Sequence, residues 1–388
     1  IITGLVGSEM CIRDRSIYTY LYDRFGFFSY KTGSLFFILS RTIGASFRLY
    51  IVARVLHLSI FEDLGTPFFL TVLVTIILIW FYTFRSGIRT IIWTDTLQTF
   101  FMLLALLISV VLISRDLGLD FTNIIPFIAE SEYSKIFFWE GDQHFLKRFF
   151  TGAFIAIVMT GLDQDMMQKN LSCKNIGEAQ KNMLYFSISL IFVNLMFLCL
   201  GALLYTVAGK HGIIFSKPDD LFPAVVLSET LGFPLIIIFI LGLIAAAYSS
   251  ADSALTSLTT SFCVDILNVN VQDKLSIIKR KYVHSSFSIL IFSVIVLLDF
   301  INDQSIISAI FSVAGFTYGP LLGLYFFGLF TSYKVHDKFV PYVAIIAPIL
   351  SYFIQKNFSI GFEILLINGL IVCFGLLLIK KDNVSLTK

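Results

Sequence analysis

Ten segments of this 388-residue chain are long and apolar enough to cross a lipid bilayer, a crossing that takes roughly 20 mostly apolar residues as a helix. They lie near 33–58, 66–84, 90–114, 147–168, 183–208, 233–262, 283–301, 305–331, 338–356 and 360–380. Hydrocarbon offers a backbone N–H or C=O no partner but another backbone group, so only helices and closed barrels survive there. Segments of this length read as helices. The expected fold class is therefore an all-α membrane protein, and the lipid bilayer is its first partner. Composition agrees: 14% of the residues are charged and the mean hydropathy is +0.86, against about 25% charged in soluble domains.

Loop charges predict an orientation. One set of loops carries Arg24, Lys31, Arg85, Arg89, Lys169, Lys174, Lys181, Lys274, Lys279, Arg280, Lys281, Lys334, Lys338, Lys380, Lys381 and Lys388. The other holds fewer cations, Arg115, Lys135, Lys147, Arg148, Lys210, Lys217 and Lys356, and more acids, among them Glu62, Asp63, Glu130, Glu132, Asp219 and Asp220. The two sets alternate over the ten segments, so the excess of Lys and Arg inside places the first set and the C-terminus in the cytoplasm. The expected location is the inner, cytoplasmic membrane. The net charge of +2 is spread over these loops, which points away from a nucleic-acid partner. The long outer loop near 115–146 is expected to carry short interfacial helices, and no protein partner is evident.

The run from Ala246 to Ser257 breaks the apolar pattern from within. Leu235 to Ala247 is almost wholly apolar, and then Ser249, Ser250, Asp252, Ser253 and Ser257 follow in the same segment. On a helix Ala246, Ser249, Ser250, Ser253 and Ser257 share one face. Hydroxyls and a carboxylate at membrane depth are costly, so they need partners or a purpose. Hydroxyl and carbonyl oxygens beside an acid form a hard-cation donor set of the kind that suits Na⁺. Small residues at this spacing also serve close helix packing, and Gly315, Gly319 and Gly323 read that way, with Pro320 kinking or breaking their helix.

Further charges lie within or near the segments. Asp95 sits about one turn into the third, in Trp93-Thr94-Asp95-Thr96-Leu97-Gln98. It reads either as an acid paired with Arg85 or Arg89 or as a relay for a departing cation. Asp163 lies at the cytoplasmic end of the fourth segment and reads as a cap or loop-network residue, the alternative being direct ligand contact. Arg48, seven residues after Arg41 on the same face of the first segment, is expected to pair with an intramembrane acid, the alternative being a clamp on an anionic substrate. All five His lie at segment ends or in loops, and the Cys spacing fits neither a disulfide framework nor a metal site. No nucleophile–base pair is visible either, so an enzyme is not expected.

Taken together, Arg41-Thr42-Ile43-Gly44-Ala45, Tyr82-Thr83 with Trp93-Thr94-Asp95 and Gln98, and Gly161-Leu162-Asp163-Gln164 with Gln168 are similar to the motifs of one family. Phe222-Pro223, the Ala245–Ser257 run and Gly315-Phe316-Thr317-Tyr318-Gly319-Pro320 extend the likeness over most of 16–331. The chain resembles the sodium/solute symporters, which include proline, sodium/glucose and sialic acid transporters. The resemblance implies an inverted-repeat fold, two five-helix halves alternating access around a midplane site. About ten transmembrane helices are then present in one transporter domain, 16–388, with N-terminal helices missing. Residues 1–15 read as a non-native artefact rather than a signal peptide or span.

The resemblance also implies sites. Half of the main sodium site falls on Ala246, Ser249 and Ser250, and the other half belongs to the missing helices. A possible second sodium site falls on Asp95, Ser249, Asp252 and Ser253, where members with that site usually have a hydroxyl in place of Asp252. The sugar transporters' aromatic gate corresponds to Met159 and Thr160, and their glutamine to Phe311, which disfavours sugar. The implied function is symport of a small organic solute with Na⁺ as coupling ion. Proton coupling through Asp252 and a non-transporting sensor module are the alternatives.

Overall fold

The computed structural model describes residues 16–62, 64–83, 88–141, 144–171, 173–215, 217–228, 232–269, 274–301, 306–358 and 360–381. Residues 1–15, Asp63, Arg85 and Lys388 lie outside the described residues, as do the side chains of Tyr82, Arg89, Gln168 and Lys274.

The chain folds into helices in the order the apolar segments predict. A short α1 (Thr19–Arg24) leads into α2 (Phe27–Leu56), which a π turn prolongs to Phe61. Next come α3 (Phe68–Thr83) and α4 (Ile88–Asp116), then the outer loop with its short α5 (Ile124–Glu130) between two 3-10 turns. Then follow α6 (Phe145–Gly161), α7 (Gln164–Leu171), α8 (Ile176–His211) and α9 (Leu221–Leu227). The chain continues through α10 (Phe233–Ser261), α11 (Lys274–Ile301), α12 (Ile306–Phe330), α13 (Val340–Phe358) and α14 (Ile364–Leu378). Among the described residues seven helices are long and apolar enough to cross a membrane, and Phe68–Phe81 and Ile364–Leu378 are shorter apolar ones.

One segment differs from its expected form. The run 147–168 is not a single helix: α6 stops at Gly161 and α7 starts at Gln164. The cause is Asp163, whose carboxylate oxygen Oδ1 accepts the Asp165 N–H at 2.9 Å and so starts a new helix as an N-cap. Tyr18 donates to the Leu162 carbonyl at 3.1 Å and Gln164 accepts the Ile17 N–H at 3.0 Å, which ties the stretch before α1 across the break.

Helix α2 is the centre of the bundle, packed against α3, α10, α11, α12 and α13. Its buried positions include Ser29, Ser34, Ser40 and Ser46, small residues that let neighbouring helices approach. Their hydroxyls are not wasted on lipid: Ser34 donates to the Tyr30 carbonyl at 3.0 Å and Ser46 to Thr42 at 2.8 Å. Asp337 closes the start of α2, accepting the Phe28 and Ser29 N–H groups at 2.8 Å each. One apolar cluster (Phe47, Tyr50, Ile79, Leu255, Ile291) and a second (Tyr18, Phe37, Leu321, Leu376) both draw on α2. Helices such as α8 turn Leu190, Ile191, Phe192 and Leu198 outward, an apolar surface suited to lipid rather than water.

Helices α12 and α14 make the closest pair. A Cβ on Gly315 would meet Ile364 at 2.4 Å, on Gly319 Asn368 at 2.4 Å, and on Gly323 Val372 at 2.5 Å, so the glycine stripe is a packing seam. Pro320 neither breaks nor ends α12. It has no N–H for the Phe316 carbonyl one turn earlier, but the buried Asn368 amide on α14 donates to that carbonyl at 2.9 Å and to Gly315 at 3.1 Å. Asn368→Leu strands a buried carbonyl, a loss of about 1–3 kcal/mol. We expect a lower thermal unfolding midpoint in detergent; an unchanged midpoint contradicts this role.

Candidate cation and solute site

The polar face of α10 opens on a cavity of about 380 Å³. Ala246, Ser249, Ser250 and Ser253 form one wall, Gln98, Thr99 and Met102 of α4 a second, and Arg41 and Arg48 of α2 a third. Met159 and Thr160 of α6 and Asp163, Asp165, Met166 and Lys169, at and beyond the helix break, close it. The break in 147–168 therefore has a consequence for the site: it turns two acids and a lysine toward a space the serines also face.

Two charge clusters flank this cavity. Buried Arg41 pairs with Asp165 at 2.6 Å and with Asp163 at 3.4 Å, and Tyr318 of α12 donates to the same Asp163 oxygen at 2.8 Å. Asp163 is thus a cap and network residue, in line with its sequence reading. The second cluster joins α4, α7 and α10. Lys169 donates to Asp95 at 2.9 Å and to Ser253 at 3.1 Å, and lies 3.7 Å from Asp165 one turn earlier on its own helix. Ser249 donates to the other Asp95 oxygen at 2.8 Å.

Three of the four residues matched to a second sodium site, Asp95, Ser249 and Ser253, therefore come together, and a lysine ammonium joins them. Asp252 is buried beside them on α10 but is not part of the cavity lining. It interacts with Asp95, Lys169 and Thr256, and neither of its oxygens forms a hydrogen bond of good geometry among the described residues. Arg48 departs from its expected pairing with an acid. No carboxylate lies within 4.0 Å of it among the described residues, and its guanidinium donates to the Ser250 hydroxyl at 3.2 Å. Arg41 has taken the acids, because it stands level with the helix break. Met159 and Thr160 line the cavity, whereas Phe311 packs against the tilted ring of Phe362, centroids 5.2 Å apart.

Sequence reasoning missed Lys169, which stood among the loop cations, and the pairing role of Asp165. The Asp165–Lys169 spacing of four residues on a polar helix was the available signal.

The sodium:solute symporter family model matches residues 19–336. This chain belongs to the sodium:solute symporter family. Its relatives include a sodium-coupled monocarboxylate transporter 1 of Xenopus laevis, 24% identical over 81% of this chain and 51% of that protein. The sodium/sialic acid symporter of Aliivibrio fischeri is 24% identical over 86% of the chain and 68% of its own length. Among solved structures, a Na⁺-coupled sialic acid symporter superposes with a TM-score of 0.75 at 18% identity, over 94% of this chain and 76% of that one. The chain thus spans about half the length of the monocarboxylate relative. It is a multi-pass membrane protein of a transporter family, not of an enzyme family, and shares the sodium symporter fold.

The arrangement in this chain makes Arg41 the counter-charge for two acids. Replacing one partner of a buried pair costs about 3–5 kcal/mol because the other charge stays buried. Arg41→Leu is expected to destabilise the bundle by that order, and Asp163→Asn in the same chain to recover part of it. A double-mutant comparison of unfolding midpoints checks this; an Arg41→Leu midpoint equal to wild type contradicts it.

Proposed function

We propose that the protein containing this chain performs sodium-coupled symport of a small organic anion across the cytoplasmic membrane by alternating access, with its C-terminus in the cytoplasm. The observation that carries this reading is the meeting of Arg48 and Ser250 on one cavity, where a cation with no acid partner among the described residues touches the face proposed to bind Na⁺. Both relatives named above are by name carriers of acids with sodium. A guanidinium is the side chain best matched to a carboxylate, through two parallel N–H donors.

In this reading Na⁺ enters the face of Ala246, Ser249 and Ser250, taking hydroxyl and carbonyl oxygens as ligands. Arg48 and Na⁺ are like charges competing for the Ser250 oxygen, so each weakens the other until an anionic solute arrives. The solute's carboxylate draws Arg48 away from Ser250 and neutralises it, which makes Na⁺ binding more favourable. By linkage the same coupling makes Na⁺ favour solute binding. Each Na⁺ moved inward gains about 2.3 kcal/mol per 100 mV of membrane potential, enough to concentrate a solute.

Uptake of radiolabelled small carboxylates by the full-length protein in vesicles tests this. We expect Na⁺-dependent uptake that is lost in Ser250→Ala and weakened about ten- to a hundredfold in Arg48→Met, the worth of a charge-assisted hydrogen bond. Uptake indifferent to Na⁺ and driven by a pH gradient would instead favour proton coupling through Asp252.

A further inference from the structure

The Lys169 ammonium stands where the donor set expected for a second Na⁺ converges. Its contacts are a carboxylate oxygen, Asp95 Oδ2 at 2.9 Å, and a hydroxyl oxygen, Ser253 Oγ at 3.1 Å. Those are the oxygens a bound Na⁺ would use. The other oxygen of Asp95 accepts the Ser249 hydroxyl at 2.8 Å, so both sides of the carboxylate have a partner. We propose that Lys169 is a tethered cation: its ammonium takes the place of a second Na⁺ among Asp95, Ser249 and Ser253, and the transporter therefore binds a single Na⁺, on the Ala246–Ser250 face.

Three features hold the ammonium in that position. Lys169 belongs to α7, whose first turn is fixed by the Asp163 cap and by the Arg41–Asp165 pair. Asp165, 3.7 Å from the Lys169 Nζ, is a second carboxylate on the same helix face. The lysine side chain carries a compact charge with three donors on a flexible stem, which suits oxygens coming from three helices at once. A Na⁺ brought to the same oxygens would face a like charge at contact distance, which opposes its binding. Buried Asp252 interacts electrostatically with both Asp95 and Lys169. The sodium position on α10 and the tethered one next to it are thus distinguished by whether a lysine reaches them.

This inference rests on the reading of the α10 face as a sodium site. Equilibrium binding of radioactive Na⁺ to the purified full-length protein tests it, with choline replacing Na⁺ to hold ionic strength. Wild type should saturate at about one Na⁺ per chain, Lys169→Gln at about two, and Lys169→Arg, which keeps the charge, at about one. Saturation of wild type at two, or of a folded Lys169→Gln at one, overturns the proposal. If Lys169→Gln does not fold, the wild-type count decides alone: one Na⁺ supports the tethered cation and two refute it. A wild type that binds no Na⁺ overturns the sodium-coupling reading itself, a result separable from either of the others.

Discussion

A guanidinium placed in the central helix must be neutralised, and much of the bundle is arranged around that need. Arg41 is buried on α2, the helix that packs against α1, α3, α10, α11, α12 and α13. A charge at such depth is tolerated only when paired and hydrogen-bonded. Its partners, Asp163 and Asp165, are available because α6 ends at Gly161 and α7 begins again three residues later. The same break brings Lys169 to Asp95 and to the serine face of α10. The helix break and the ion-pair cluster seated on it thus shape the cavity together and place charge beside the proposed ion site.

Polar groups elsewhere in the bundle follow the same economy. Ser34 and Ser46 of α2 bond back to their own helix, and Asp265, after α10, accepts the hydroxyls of Tyr30 and Ser261 at 2.8 and 2.6 Å. His284 of α11 lies between the hydroxyls of Thr83, at 2.8 Å, and Thr259, at 3.3 Å. The carbonyl that Pro320 leaves open is met by Asn368 from another helix. Each of these is a side chain replacing the water that lipid cannot supply. Arg48 lines the cavity with no carboxylate within 4.0 Å of it, and neither carboxylate oxygen of buried Asp252 forms a hydrogen bond of good geometry, among the described residues. Unbalanced groups beside a cavity are where a transporter's cargo has something to bind.

Much of this was legible in the sequence, for physical reasons that particular residues show. Apolar length announces helices, so the order of α2 to α14 follows the hydropathy pattern. The spacing of Ala246, Ser249, Ser250 and Ser253 places them on one face before any coordinates are known, and they share one cavity wall. The break at Asp163 was hidden because an N-cap carboxylate looks like any other acid at the end of an apolar run. Lys169 was hidden for a related reason: a lysine near a segment end is ordinarily hydrated, and only the turn of α7 aims it at Asp95. Arg48 meets a serine rather than the expected acid, while Arg41 holds Asp163 and Asp165. Local pattern shows what a residue is; the path of the chain decides whom it meets.

The central claim is that the Ala246–Ser253 face of α10 borders an aqueous cavity within the membrane and receives Na⁺ there. Cysteine accessibility measures it most directly. In the full-length protein with its native cysteines replaced, a cysteine at Ala246 should react with a small water-soluble thiol reagent, and Na⁺, but not choline, should slow that reaction. A cysteine at Ala254, buried on the packed side of the same helix, should stay unreactive under both conditions. Equal reactivity at the two positions, or labelling at Ala246 that ignores Na⁺, would contradict the account.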